Sequence, residues 1–251
     1  MNPLRLVLSV SIVAVASGAL AAQERRLPLD TAHGLALHHA EATPATFKGR
    51  AALRLTAPPA APGSAPGAAA AKKKGAGKKG GGGEAARTDH LAIVEGLEFA
   101  DGTIEVDIAG EPGAGAAGGA RGFVGIAFRV GADRRTYDCF YLRPTNGRAE
   151  DQERRNHTAQ YVSHPAHTWF ALREATPSRY ESYVDIQPAE WIRVKIVVAG
   201  DKARLFVNNA EQPTLIVNDV KTGATGKGAV ALWFEGSTVA HFANLRVIPA
   251  R

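Results

Sequence analysis

The chain is short of cysteine, long apolar runs, helical periodicity and catalytic signatures, and each shortage closes off a class of protein. Its 251 residues include one cysteine, Cys139, so no intrachain disulfide can form and stability must come from a core. Cys139 sits in the alternating run Tyr137 to Tyr141 with no Cys-His spacing around it, which suits a small half-buried residue better than a nucleophilic thiol. After the first 21 residues nothing is long and apolar enough to cross a bilayer. No amphipathic stretch of three helical turns is evident, and no internal repeat points to a propeller or solenoid. P-loop, dinucleotide and nucleophile-elbow motifs are missing. An excess of one charge is missing too, despite the formal +6. Lys72, Lys73, Lys74, Lys78, Lys79 and Arg87 against Glu84, with Arg5 near the N-terminus, account for all of it. The remainder is neutral by count, so no specific nucleic-acid partner is expected.

Three kinds of segment are present. Arg5 precedes the apolar run Leu6 to Leu20, and Ala19-Leu20-Ala21 supplies the small-x-small pattern of signal cleavage. We expect cleavage after Ala21 and a secreted or periplasmic protein; no cysteine near the cut argues for a lipid anchor. Residues 57–88 contain twelve Pro or Gly among 32 and no large apolar residue. Such a segment cannot offset its ordering entropy and should be disordered. Its lysines could touch anionic polymers weakly, although such runs are commonly only solubilising. Residues 22–56 are too few to fold alone, so 22–251 reads as one domain interrupted by this insertion. The stretches on either side of it, 50–56 and 90–99, should pair within one sandwich.

From residue 89 onward short alternating or apolar runs are separated by turn residues. Strands are expected at 90–99, 102–109, 122–130, 136–143, 180–186, 191–199, 202–207, 213–217, 228–235 and 238–248, which indicates an all-β antiparallel sandwich or barrel. Alternation sorts their faces. Val124, Ile126, Phe128 and Val130 oppose Phe123, Gly125, Ala127 and Arg129. Val230, Leu232 and Phe234 oppose Ala229, Ala231, Trp233 and Glu235. Phe140 and Leu142 oppose Tyr137, Cys139, Tyr141 and Arg143. The second face mixes small residues with rings and charges, a trough either open to a ligand or covered by residues 144–179. All five tyrosines fall between 137 and 183, together with Trp169, and six arginines lie between 143 and 179. Planar donors beside flat rings suit a sugar, whose hydroxyls need paired hydrogen bonds and whose C–H faces stack. The competing reading is an Arg–Glu/Asp network that staples a long loop to the sheet.

The runs FKGRAALRL, LEFADGTIEVDIAG, RGFVGIAFRV, FYLRPTNGRAEDQERRNHTAQY and VALWFEGSTVAHFANLRV resemble exported bacterial domains of the concanavalin A-like lectin/glucanase group. The likeness is to laminin-G-like and 3-keto-disaccharide hydrolase-like (DUF1080-type) members. It covers roughly 45–56 and 89–248. It implies a jelly-roll β-sandwich with a concave, sugar-facing sheet and no settled activity, since such sandwiches host lectins, glycosidases, lyases and structural modules. The Gly/Lys insertion is not part of the pattern.

A glycan-binding reading assigns stacking to Tyr141, Tyr161, Trp169 and Trp233. Arg129, Arg143, Asn146, Asp151, Gln152, Arg155, Asn156 and Tyr183 would complete the site. A glycosidase reading has only Glu181, Glu235, Asp151 and His157 to offer, and no Glu-x-Asp-x-x-Glu motif of concanavalin-type glucanases occurs. A structural adhesion module is a third reading and would show a large exposed apolar patch. Metal grammar is poor: His38-His39 and His164 with His167 lack carboxylate partners. No cofactor is indicated, although calcium held by carbonyls and an Asp would leave no motif. Asn156-His157-Thr158 matches a glycosylation triplet.

Overall fold

A computed structural model describes residues 23–59 and 89–250. The expected signal segment, its cut after Ala21, and residues 60–88 of the insertion, with all five of its lysines, lie outside the described residues. The strands are β1 (Arg25–Leu27), β2 (Leu35–His38), β3 (Glu41–Phe47), β4 (Arg50–Thr56), β5 (His90–Val94), β6 (Gly102–Pro112), β7 (Val124–Val130), β8 (Tyr137–Leu142), β9 (Ala159–His164), β10 (Glu181–Ser182), β11 (Ile192–Ala199), β12 (Lys202–Val207), β13 (Leu215–Val217), β14 (Ala229–Phe234) and β15 (Thr238–Pro249). Two short helices, α1 (Gln152–Asn156) and α2 (Trp169–Ala175), fall between β8 and β10. An eight-stranded sheet runs β13-β12-β11-β6-β15-β4-β3, with β1 paired to β15. A seven-stranded sheet runs β10-β9-β8-β7-β14-β5-β2, and the strand pairings in both are antiparallel.

The period-2 pattern dictates the layering. Ile104, Val106 and Ile108 of β6 meet Ile126, Phe140 and Leu232 of the facing sheet in one buried cluster, while Glu105 and Asp107 between them point outward. The face assignments of β8 and β14 hold: Phe140, Leu142, Val230, Leu232 and Phe234 are in this core, and Tyr137, Cys139, Tyr141, Ala231 and Trp233 form a second cluster. One pair in β7 is exchanged. A bulge between Ala229 and Ala231 shifts the β7–β14 register, and Arg129 adopts φ 54°. The extra residue sends Val130 to the second cluster. Arg129 instead donates to Ala100 O, Gly200 O, Gly223 O, the Thr222 hydroxyl and Asp101.

Two expectations about pairing are corrected. The strand expected at 180–186 shortens to β10, because the following segment is held elsewhere: a Cβ at Gly147 would stand 2.2 Å from Ile186 O, so the turn after β8 packs on this backbone. The stretches around the insertion do not pair with each other. β4 lies between β15 and β3, while β5 lies between β14 and β2 in the facing sheet. Their ends are nonetheless neighbours. Glu41 pairs with Thr56, and His38 pairs with Leu91, so the chain itself crosses the same gap through His39 and Ala40.

Candidate functional site

On the outer side of the seven-stranded sheet aromatic rings occupy the space that small residues leave. Gly125 lies between Tyr141 and Trp233 on the neighbouring strands. A Cβ there would come within 2.2 Å of Phe140 O and 2.6 Å of the Tyr141 Cα. The missing side chain lets Tyr141 and Trp233 lean over the strand and stack at 4.9 Å, with Phe123 against the other side of Tyr141 at 5.6 Å. Trp233 donates its Nε1–H to the Tyr137 hydroxyl, which donates to Asp89. Burial and the nearby Asp89 carboxylate push the Tyr137 phenol well above its ordinary range. Cys139 is fully buried in the same cluster, and burial raises its thiol in the same way, which makes it inert. Trp169, from α2, packs on the edge of the cluster, so residues 144–179 do cover part of the trough.

Beside the stack lies a pocket of about 550 Å³, lined by Phe123 and Trp169 together with Arg121, Arg143, Arg154 and Arg173, and with Asn146, Asp151, Glu153 and His157. The segment after β8 builds most of it. Arg143 is nearly buried; it donates to His157 O, the Tyr141 hydroxyl and Gln160 Oε1, and its guanidinium lies 5.4 Å from the Phe123 ring centre. Asn146 donates to His157 O and accepts from Arg154 Nε, so one amide ties the turn after β8 to α1. Asp151 caps α1 by accepting from Arg154 N at 2.6 Å. Thr168 caps α2, which presents Trp169 and Arg173; the guanidinium sits 4.7 Å from the indole centre.

Glu181 does not line this pocket but stands behind three residues that do, Arg143, His157 and Arg173. Its carboxylate takes a forked pair of hydrogen bonds from Arg173, lies 3.7 Å from Arg143, and lies 3.0 Å from His157 Nδ1. The histidine contact is out of line for a hydrogen bond, and both ring nitrogens are buried without a partner. Burial lowers the His157 pKa; Arg173 and Arg143 act in the same direction and Glu181 opposes them.

The sequence-derived site residues therefore separate into groups. Arg143, Asn146, Asp151, His157 and Trp169 come together at the pocket, with Glu181 behind them. Tyr141 and Trp233 stand beneath it, only 3% and 7% exposed, with the Tyr141 ring held between two others. Gln152 and Asn156 hydrogen-bond each other on the exposed side of α1. Arg155 stacks on Tyr183 and donates to its hydroxyl, away from the lining. Glu235 accepts from Ser237 outside the pocket. Two assignments are corrected. Arg129 is turned inward by the β7 bulge, and Tyr161 faces the core, where its hydroxyl donates to Asp138 and accepts from Lys221 N. Phe123, Arg121, Arg154 and Arg173 were not selected from the sequence. Phe123 was legible from its alternation with Gly125, and Arg154 and Arg173 from the arginine density, but Arg121 follows a glycine-rich loop and carries no local signal.

Another depression, of about 650 Å³, lies beside β1. It offers no aromatic ring except the His33 imidazole, and Glu24 there is committed to Arg26 and Arg246. Among the described residues no group of three His, Cys, Asp or Glu side chains could hold a metal ion, and no helix is long and apolar enough to cross a membrane.

No protein family matches the chain, and no curated protein matches it in sequence. Solved structures do match. A Bacillus subtilis protein of unknown function with a galectin-like fold is 11% identical, covers 89% of this chain and 94% of its own, and gives a TM-score of 0.51. The chain has a galectin-like sandwich fold. The carbohydrate binding module CBM66 from Bacillus subtilis (11% identity, 84% and 97% coverage, TM-score 0.49) and the Crh5 transglycosylase (12%, 92% and 86%, 0.45) are similar to lesser degrees. The sandwich agrees with the concanavalin A-like architecture expected from the sequence, and at these identities the likeness concerns the fold alone.

Proposed function

We propose that this galectin-like sandwich is an exported carbohydrate-recognition domain that holds a saccharide in the pocket beside Phe123 and Trp169. The observation that carries the reading is the combination there: two half-exposed rings and convergent guanidinium, amide and imidazole groups around a cavity of ligand size. The polar groups are held by their own hydrogen bonds before any ligand arrives, which limits the ordering cost of binding. Among the described residues the exposed large apolar side chains, Leu37, Phe170, Tyr183 and Ile216, fall on four separate segments, which lends the adhesion reading little support. Export rests on the expected cut after Ala21, two residues before the first described residue. N-terminal sequencing of the mature protein tests it, and a retained leader would overturn it.

A glycan array followed by calorimetry on the mature protein tests the binding. Trp169→Ala and Phe123→Ala should each weaken the best saccharide about tenfold, near 1.4 kcal/mol. Binding of no saccharide, with or without calcium, would sink the reading. A second reading, cleavage of keto-disaccharides as the sequence resemblance implies, has one observation in its favour: Glu181 and His157 are in contact at the pocket. The fork from Arg173 opposes it, since a carboxylate so paired is a poor general acid. Turnover lost in folded Glu181→Gln and His157→Gln variants would establish it, and turnover unaffected by both would remove these residues from any mechanism.

A further inference from the structure

The same pocket holds more positive charge at one wall than the protein neutralises. Arg143 and Arg173 share Glu181. Arg121 has no such partner: its guanidinium donates only to Gly118 O and Ala120 O, each at 3.2 Å. Arg154 donates to Asn146 Oδ1, Thr145 O and the Thr145 hydroxyl. Among the described residues neither Arg121 nor Arg154 has a carboxylate within ion-pair distance. The two other acids at the pocket do not close this gap. Asp151 is turned to the α1 backbone, and the Glu153 side chain is 86% exposed and points toward His157 at 3.9 Å. Arg154 and Arg143 stand close enough to Arg121 that their repulsion, after burial, lowers its pKa. Half-buried cations crowded together without a counter-ion are costly to assemble, and an anion that accepts from them removes the cost.

From this arrangement we infer that the saccharide carries an acidic substituent, a carboxylate or a sulfate ester, which seats against Arg121 and Arg154 while its ring packs against Phe123 and Trp169. The inference rests on the saccharide-binding reading above and narrows it to acidic glycans. Guanidinium forks match both anions in shape, and a neutral sugar would leave the excess charge where it stands. The sugar end of the pocket and the anion end are thus separable by mutation.

Calorimetry on the full mature chain with matched pairs tests it: oligogalacturonate against its methyl ester, and dextran sulfate against dextran. At least one acidic member should bind ten times or more tighter than its neutral counterpart, and the advantage should shrink as salt rises from 50 to 500 mM. Which pair responds distinguishes carboxylate from sulfate. Arg121→Gln and Arg154→Gln should each erase most of that advantage, weakening the acidic member far more than the neutral one. Trp169→Ala should weaken both members of the pair alike. Equal affinity for acidic and neutral members, or an acidic preference that survives both arginine variants, overturns the anion inference and leaves saccharide binding standing. Binding of neither member of any pair, together with no hit on the glycan array, overturns both.

Discussion

The outer faces of the two sheets are built from the same strand alternation and end in opposite states. On the outer face of the eight-stranded sheet charges alternate with other residues along β6 and β11, and each charge named here is answered. Arg193 pairs with Glu105 and Asp107, Arg50 pairs with Asp107, and Arg246 pairs with Glu24 and Glu105. These pairs are partly solvated, so each contributes little, and together they make a surface that asks for nothing further. On the seven-stranded sheet Gly125, Ala127 and Ala231 replace the charges, rings fill the space they leave, and the cations beside the rings are incompletely paired. A face that is closed electrostatically is a protein's ordinary boundary. A face with unfilled polar capacity next to exposed rings is where a ligand has something to complete.

The comparison breaks most readily at its two tryptophans. Trp233→Ala removes one end of the ring stack, the indole that is buried against Tyr141 and bonded to the Tyr137 hydroxyl; a loss of about 3–5 kcal/mol is expected. Trp191, on the other face, is half-buried against Phe47 and Arg50, and its loss should cost about 1–2 kcal/mol. Urea midpoints of the two variants measure the difference, and equal losses would show that the outer cluster is not a second core. A smaller contrast is expected between two glutamates. Glu181→Gln leaves Arg143 and Arg173 without the one carboxylate among the described residues that pairs with them, at a site where Glu181 itself is buried, about 3 kcal/mol. Glu105→Gln loosens partly solvated pairs and should cost less than about 1 kcal/mol.

The difference between these faces was partly legible in the sequence. Residues such as Trp233, Tyr141 and Phe140 declared their sides, because a side chain's face follows from parity alone once a strand is continuous. Parity failed at Arg129, where a bulge inserts one residue, and no local residue announces a bulge when the left-handed position is filled by arginine instead of glycine. It fails again at Tyr161, because residues 159–164 lie in a long segment without a strand signal, and parity assigns faces only where a strand is expected. The pocket was half legible. Arg143, Asn146, His157 and Trp169 belong to one dense segment, whereas Arg121 reaches the same cavity only through the pairing of β7 with β8. That kind of proximity is made by long-range sheet order, which composition does not carry.

Histidines on the two faces give a weaker, pH-dependent comparison. His157 at the pocket and His241, stacked on Phe47 outside the other sheet, both have lowered pKa values, chiefly from burial. His38 shifts in the same direction. A histidine whose folded pKa lies below its unfolded value of about 6.5 binds its proton more readily when unfolded. Stability should therefore be full above that value and fall as pH drops through it toward the folded values. His157→Gln and His241→Gln should each flatten the decline between pH 7 and pH 5 in urea titrations. A decline unchanged in both variants would place the responsible protons elsewhere.

The smallest effect should come from removing the insertion, and the reason lies in how the sheets are joined at that edge. Thr56 and His90, the strand ends on either side of it, belong to facing sheets, which would normally require a connection of some length. Here the gap is already crossed by a two-residue step, since His38 pairs beside Leu91 and Glu41 pairs beside Thr56. His39 also approaches Asp89 O at 3.2 Å, which fixes the downstream end close to that step. A Gly-Asn-Gly-Ser connection in place of 57–88 is thus long enough to follow the same path. Loop closure changes by only about 0.6 kcal/mol for each doubling of length, so shortening should leave the melting temperature unchanged or slightly raised. The variant should also lose salt-sensitive adherence to anionic polymers if the lysines of the insertion supply it, while the Arg121 and Arg154 preference for acidic saccharides persists. Unfolding on deletion, or loss of saccharide binding with it, would mean that the insertion is an integral part of the domain and that the seven-stranded face does not bind alone.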